Sequence, residues 1–431
     1  MNIINMKKSI VTTICLIAIL FLFSCSNINK KENNSTIIKD QSNLTAKDIL
    51  GNPDYLAISY GGYRNNTRDI QPTIEELKED MKILFAMNIK VLRTYNVHFQ
   101  QAENLLKAIH QLKEEDSSFE MYVMLGIWID CKNAFHREGG EPDHNQESKR
   151  NPIEVKTAVE LTKKYSDIVK ILAVGNEAMI KWATEYYVKP GVILKWVNHL
   201  QDLKKSGELS KDLWITSSDN FASWGGLSEE YHVEDLNKLI NAVDYISMHT
   251  YAYHDTHYTP EYWINDSIEH DSDIERIDAA MFRAKHYAMS QYQGVKSYIE
   301  KLNINKPIHI GESGWASISN GLYGINGSKA TDEYKAALYY KHIRDWTNKE
   351  GLSCFFFEAF NENWKEGKNP LGSENHFGLF TIDGQAKYAL WDLVDKGVFE
   401  GLTRNGNPIT KTYNGDKNAL MKDVLVPEIL K

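Results

Sequence analysis

Residues 169–177 read Val-Lys-Ile-Leu-Ala-Val-Gly-Asn-Glu, and residues 307–315 read Pro-Ile-His-Ile-Gly-Glu-Ser-Gly-Trp. Each stretch is an apolar run with β-branched residues that leads directly into a carboxylate, Glu177 in the first and Glu312 in the second. Such runs predict strands buried on both faces, as in parallel sheets. A carboxylate at the carboxyl end of such a strand lies where barrel enzymes carry their reactive groups.

Eight strand-like runs of this kind occur along the chain, and most precede a helix-like stretch. We predict strands over residues 55–60, 90–95, 120–126, 168–174, 213–217, 243–248, 307–310 and 352–357. Helical periodicity covers residues 74–87, 102–112, 152–165, 192–205 and 332–347. This alternation predicts an α/β fold, the (β/α)8 TIM barrel. A doubly wound open sheet is the alternative, but no Gly-rich phosphate loop follows any strand.

The domain organisation follows from the absence of sequence repeats and of internal low-complexity linkers. We expect one catalytic domain over residues 46–400 and a C-terminal extension, 401–431, to which no role is assigned. Three long loops, 128–151, 251–287 and 358–377, are expected at the carboxyl ends of the strands. Long loops in compact domains are usually functional or disordered, and the aromatic content here favours function.

The N-terminus has the pattern of a processing segment. Lys7 and Lys8 precede an apolar run, residues 10–23, that is too short for a comfortable membrane span. The run ends in Leu-Phe-Ser-Cys at residues 22–25, which resembles the lipobox of bacterial lipoproteins, whose cysteine is acylated. We therefore expect a signal peptide over 1–25, lipidation at Cys25, a flexible tether over 26–45 and a lipid anchor in the bacterial cell envelope. An ordinary signal peptide is the alternative, and the choice of inner or outer membrane stays open.

The composition of the chain limits which kinds of partner and metal site are expected. The chain has 431 residues, 42% of them apolar, and a net charge of −9 from 49 basic and 58 acidic residues, without a basic block in the body of the chain. Nucleic acid is therefore not expected as a partner. No Cys/His cluster has zinc spacing, so no metal site is expected. Cys131 and Cys354 are too few for a disulfide framework, although a bond between them stays open. We take the chain to be a monomer.

The two strand-end glutamates match the chemistry of retaining glycoside hydrolysis. That reaction needs two carboxyl groups about 5–5.5 Å apart, one protonated and one ionised. Glu177 is the expected acid/base, because the preceding Asn176 can hydrogen-bond a sugar 2-hydroxyl. Glu312 is the expected nucleophile, and its charge would raise the pKa of Glu177. The alternative is that either glutamate caps a helix or pairs with an arginine.

Further candidates flank these strand ends. Arg93 is expected to orient the nucleophile, and Tyr251 to hydrogen-bond Glu312 or the sugar. The expected sugar-binding side chains, for which ion pairing and core packing are the alternatives, are Tyr95, Trp128, Trp315, Glu358, Glu362, Trp364 and Lys365.

Several motifs together resemble glycoside hydrolase family 17, the β-1,3-glucanase family of retaining (β/α)8 barrels. Val-Gly-Asn-Glu at 174–177 is similar to its acid/base motif, and Glu-Ser-Gly-Trp at 312–315 to its nucleophile motif. Arg-Thr-Tyr at 93–95 is similar to its Arg-x-Tyr after strand two. The segment 360–380 is similar to its strand-eight signature, which implies additional charged cleft residues at Glu362, Lys365 and Glu374.

The resemblance spans residues 55–395 and implies an endo-1,3-β-glucanase that acts on a β-1,3-glucan such as laminarin without metal or cofactor. It departs at residues 249–253, His-Thr-Tyr-Ala-Tyr, where the family usually has Asn-x-Tyr-Pro-Tyr. Tyr251 and Tyr253 therefore carry over as substrate-binding residues. A transglycosylase that uses the same two glutamates and a non-catalytic surface glycan-binding lipoprotein remain alternatives.

Overall fold

The structure is a computed structural model that describes residues 44–264 and 272–428. Eight parallel strands close into a barrel in the order β1-β8-β7-β6-β5-β4-β3-β2. They are β1 Leu56–Ser59, β2 Ile89–Arg93, β3 Tyr122–Ile127, β4 Val169–Asn176, β5 Trp214–Asn220, β6 Ile246–His249, β7 Ile308–Gly314 and β8 Cys354–Phe357. The (β/α)8 barrel expected from the alternating pattern is confirmed.

Helices follow the strands and cover the outside of the barrel. They are α1 Ile74–Ala86, α2 Gln100–Glu115, α3 Asn151–Lys164, α4 Pro190–Lys205, α5 Glu234–Ala242, α6 Asp273–Lys301, α7 Glu333–Lys349 and α8 Trp391–Asp395. Shorter helices span Ala46–Ile49, Ala252–Tyr258 and Lys417–Lys422. None of the described helices is long and apolar enough to cross a membrane.

Helix α1 illustrates why the helices form where the sequence pattern places them. Thr73 accepts a hydrogen bond from the backbone N–H of Glu76, and the Glu76 carboxylate accepts one from the Thr73 backbone in return. This capping box satisfies two N–H groups that have no partner inside the helix. Leu77, Met81 and Leu84 then recur at helical spacing and are fully buried. The apolar stripe holds the helix against the strands, and the cap sets where it begins.

Two of the predicted loops contain regular structure. A short helix spans Ala252–Tyr258 and helix α6 begins at Asp273, so the predicted loop 251–287 is wrong over both segments. Ser272 and Glu275 form a capping box at the start of this helix. Their spacing indicates a helix, but the aromatic residues of the segment favoured a functional loop. In the loop 128–151, strand Cys131–Lys132 pairs with strand Asp143–Glu147 in an antiparallel hairpin.

The chain ends are only partly described. The predicted leader, Cys25 and nearly all of the tether lie outside the described residues. The last two tether positions are ordered, because Leu44 is buried and Thr45 caps the first short helix. At the other end, residues 401–428 pack on the domain, and the buried Arg404 pairs with Asp80 of α1 at 2.9 Å. Cys131 and Cys354 are free, buried thiols.

Candidate active site

A cavity of about 990 Å³ opens at the carboxyl ends of the barrel strands. Each of the eight strands contributes a residue to the cavity lining from within two positions of the strand's carboxyl end. These are Tyr60, Tyr95, Trp128, Glu177, Phe221, Tyr251, Glu312 and Phe357. The cavity therefore lies where (β/α)8 barrels place their chemistry.

Glu312 lies on β7 at the floor of this cavity and is 5% exposed. Arg93 Nη1 donates to its carboxylate, and Tyr251 Oη donates to Oε2 at 2.7 Å. Arg93 Nη2 also donates to Asn176 Oδ1 at 2.6 Å, so the guanidinium ties the end of β2 to both β7 and β4. Because Asn176 Oδ1 is engaged in this way, its NH₂ group is the part that can meet a substrate.

The surroundings of Glu312 favour its ionised form. Burial alone would raise its pKa, but the charges of His249 and Arg93 and the hydrogen bonds from Tyr251 and Arg93 outweigh burial. The pKa of Glu312 is therefore lowered well below its ordinary value. A carboxylate that stays ionised in an enclosed site has the charge state that a nucleophile needs.

Glu177 follows β4 in an unusual backbone conformation. Its φ is 45°, in the left-handed region, and Gly175 two residues earlier has φ 83°. A side chain at position 175 would bring its Cβ within 2.8 Å of Ala178, so only glycine fits there. The Glu177 N–H donates to Ser218 O at 3.0 Å, which anchors the turn to β5. The strand end thus turns the Glu177 side chain, 27% exposed, into the cavity.

His249 lies between the two glutamates. It ends β6, is fully buried, and places Nδ1 3.1 Å from Glu177 Oε1 and 3.7 Å from Glu312 Oε2. The distance between Glu177 Oε1 and Glu312 Oε2 therefore cannot exceed the sum of their two distances from His249 Nδ1. That bound includes the spacing of retaining glycosidases, about 5–5.5 Å, and excludes most of the inverting range, about 6.5–9.5 Å.

The structure brings most of the predicted binding residues to this cavity. The members that line it are Tyr95, Trp128, Asn176, Tyr251, Glu362, Trp364, Lys365 and Glu374. Lys365 joins the acidic members, with Nζ 3.4 Å from Glu362. His254 lies 3.5 Å from Glu374; burial would raise the pKa of Glu374, but the hydrogen bond and charge of His254 lower it.

Three predicted binding residues lie behind the cavity wall instead. Trp315 is 1% exposed and donates its indole N–H to Ala330 O, so it cannot offer a face to a sugar. Tyr253 is fully buried against Trp315, Tyr323 and Phe377. Glu358 is 2% exposed and accepts from Lys365 Nζ at 2.6 Å. None of the three lines the cavity, because each side chain packs or pairs inside the wall, and their substrate contacts stay predictions.

Arg93 is also buried, at 1% exposure, and reaches the site through Glu312 and Asn176. Its geometry matches the orienting role that the sequence suggested, and not direct contact with a substrate.

Sequence reasoning missed several residues of the site. The sequence marked His249 only as a departure from a family pattern. Ser247 and His249 nevertheless alternate with the apolar Ile246 and Met248, as inward-facing residues of a strand do. Trp182, 59% exposed, lines the cavity from the loop after Glu177, and no strand-end motif marks it.

Behind the Glu177 turn, Asp219 accepts from the backbone N–H of Met179 at 2.7 Å. Burial raises the pKa of Asp219 to about 7, against the lowering effect of that bond. Within residues 44–264 and 272–428, no group of three or more His, Cys, Asp or Glu side chains is arranged to hold a metal ion.

Residues 57–378 match the BtgE/BtgC glycoside hydrolase domain, which is most of the chain. The chain belongs to this family. A crystal structure of an endo-laminarinase from Formosa Hel1_33_131 is 66% identical, covers 90% of this chain and 98% of its own, and superposes with a TM-score of 0.89.

Curated relatives of this glycoside hydrolase are more distant. A probable glucan endo-1,3-beta-glucosidase, btgC, of Aspergillus flavus is 23% identical over 83% of this chain and 47% of its own length. A glucan endo-1,3-beta-glucosidase of Vitis vinifera is 26% identical over 52% of this chain and 68% of its own. The chain thus spans about half the length of the fungal relatives that it matches.

Proposed function

We propose that this chain is an endo-acting, retaining hydrolase of β-1,3-glucan, with Glu177 as acid/base and Glu312 as nucleophile. The observation that carries the proposal is the pair of strand-end glutamates in one cavity, joined through His249. The substrate class and the endo mode are supported by the 66% identical endo-laminarinase, which aligns over nearly its whole length.

In the first step, protonated Glu177 donates its proton to the glycosidic oxygen while a Glu312 oxygen attacks the anomeric carbon from the opposite face. The bond between that carbon and the leaving oxygen breaks, and a covalent glycosyl-enzyme forms. Arg93 and Tyr251 hold Glu312 ionised and in place before the attack.

In the second step, the deprotonated Glu177 takes a proton from water, whose oxygen attacks the anomeric carbon and displaces Glu312. Two inversions at one carbon give net retention. Glu312 leaves as a carboxylate and returns to the hydrogen bonds of Arg93 and Tyr251.

The test is sugar release from laminarin beside mixed-linkage, β-1,4 and β-1,6 glucans, with Glu177→Gln as the matched inactive variant. We expect short oligosaccharides from laminarin and none from the variant. Sugar release from another glucan alone would overturn the β-1,3 assignment. No sugar release from any of the four glucans would overturn hydrolysis. Products longer than a defined oligosaccharide substrate would indicate transfer to sugar in place of water.

We further propose that the chain belongs to glycoside hydrolase family 17 and acts as a monomer anchored to the bacterial envelope through a lipid on Cys25. The lipobox-like residues 22–25 and the short apolar run before them support the anchor. Fractionation of cells that express the full chain tests it, because Cys25→Ala should move the protein out of the membrane fraction. An unchanged distribution would refute the anchor, and light scattering of the soluble protein would test the monomer.

A further inference from the structure

We propose that His249 is a positioning residue that determines which oxygen of Glu177 carries the catalytic proton. The inference rests on the proposed function, since it concerns the acid/base of that reaction. It goes beyond that function by assigning the control of proton placement to a buried imidazole and the two serines behind it.

The surroundings of His249 Nδ1 show that this nitrogen carries a hydrogen. This nitrogen faces Glu177 Oε1 at 3.1 Å and Glu312 Oε2 at 3.7 Å. A nitrogen lone pair in that position would face lone pairs of two acceptor oxygens. An N–H group instead donates to one oxygen and lies near the other, so Nδ1 carries a hydrogen whether the ring is neutral or charged.

The opposite edge of the His249 ring faces two serines. Nε2 lies 2.8 Å from Ser218 Oγ, which lies 2.8 Å from Ser247 Oγ. In the neutral ring, Ser247 can donate to Ser218 and Ser218 to Nε2, which leaves the hydrogen on Nδ1. In the charged ring, Nε2 donates to Ser218 instead, and Nδ1 keeps its hydrogen in either state. A Cβ at Gly311 would come within 2.2 Å of Ser247 Oγ and 2.5 Å of Ser218 Oγ, so the close approach of β7 confines both hydroxyls.

The hydrogen bond from His249 then determines where the proton of Glu177 lies. When its carboxyl group is protonated, Oε1 accepts from His249, and the acidic hydrogen therefore resides on Oε2. Oε2 is then the oxygen that meets the glycosidic oxygen and delivers the proton to it. His249 keeps its own hydrogen throughout, and after the transfer the same bond holds the Glu177 carboxylate in place as a base.

A substrate comparison separates this role from simple packing. Laminarin has a poor leaving group and needs the Glu177 proton, whereas a 2,4-dinitrophenyl β-laminaribioside has a leaving group that departs without one. For His249→Leu, which has no donor, we expect kcat/KM on laminarin to fall about 10- to 100-fold, a substantial part of what acid catalysis contributes. On the dinitrophenyl substrate, assayed at neutral pH where Arg93 and Tyr251 still keep Glu312 ionised without His249, we expect a much smaller loss of kcat/KM, because the acid is not used there.

His249→Asn is the conservative variant, because its side-chain NH₂ can occupy the place of the Nδ1–H group. We expect it to recover most of the laminarin activity lost in His249→Leu. Ser218→Ala should give a smaller loss with the same substrate pattern, and it keeps the proposal testable if His249→Leu does not fold.

Several outcomes would overturn the proposal. Equal losses on both substrates would mean that His249 only supports the packing of the site. Normal laminarin kinetics in both His249→Leu and Ser218→Ala would mean that proton placement does not depend on this network. Wild type without laminarin activity would instead refute the proposed function, so the two failures are distinguishable. Glu177→Gln, measured on both substrates, shows how kcat/KM changes on each when the acid itself is lost.

Discussion

The hydroxyl of Tyr251 offers a direct test of how the nucleophile is kept ionised. It donates to Glu312 Oε2 at 2.7 Å, a short charge-assisted bond. The ring itself packs edge-on against Phe357 and Phe377, so Tyr251→Phe removes one oxygen and leaves the packing in place. Because the carboxylate keeps its contacts with Arg93 and His249, the variant isolates a single hydrogen bond.

The sign and size of the effect follow from that bond. A hydrogen bond to a charged group contributes about 1.5–3 kcal/mol. Each unit of pKa corresponds to about 1.4 kcal/mol. The bond favours ionised Glu312, so its loss raises the pKa of Glu312 by about one to two units. Activity requires ionised Glu312 and is lost as the pH falls through its pKa, so the acid limb of the pH profile moves to higher pH.

The assay is kcat/KM on laminarin as a function of pH for wild type, Tyr251→Phe and the control Tyr253→Phe. Tyr253 lies two residues further along, in the aromatic packing behind the cavity wall, and its change should leave the limb in place. An unmoved acid limb in Tyr251→Phe, with melting temperature unchanged, would refute the view that this hydroxyl lowers the pKa of Glu312. An equal shift in Tyr253→Phe would assign the effect to packing.

The remaining predictions concern chemistry and stability. Glu312→Ala should abolish laminarin turnover, and added azide should restore part of it with inverted product; rescue in Glu177→Ala instead would exchange the two roles. Arg404→Met removes one of the two arginines that pair with the buried Asp80, which keeps Arg64 at 3.1 Å, and should cost about 1.5–3 kcal/mol in urea unfolding, whereas Lys205→Met at an exposed pair should cost under about 1 kcal/mol; equal costs would contradict this. Burial lowers the pKa of His309 to about 4. As the pH is lowered from about 6.5 to 4, the unfolded chain therefore binds a proton that the folded chain excludes, and the free energy of unfolding decreases. His309→Gln should make that decrease smaller in urea titrations at several pH values.

The sequence predicted the barrel and both glutamates because these depend on local signals. A strand buried on both faces must be apolar almost throughout, so the polar residue that ends it stands out, as Glu177 and Glu312 do. Strand ends of a parallel barrel meet at one face, and the pattern therefore predicted that both would reach one cavity. The fold needed no more than this periodicity.

The predicted binding residues that the structure places behind the cavity wall are positioned by packing between distant loops. Trp315 follows the nucleophile by three residues, but whether its ring faces the cavity or Ala330 is decided by the segment that covers it. His249 looked unremarkable because its significance comes from Glu177 and Ser218, which belong to other strands. Residue type and spacing along one strand carry no information on such cross-strand contacts.

The left-handed backbone at Glu177 has a consequence for how this position can change. A non-glycine residue in that region is disfavoured by about 1–2 kcal/mol, and asparagine and glycine tolerate it better than glutamate. Selection for folding alone would therefore replace Glu177, and the residue that does the chemistry is one that the turn itself does not prefer. A more stable but inert protein lies one substitution away, so stability and activity oppose each other at this single residue.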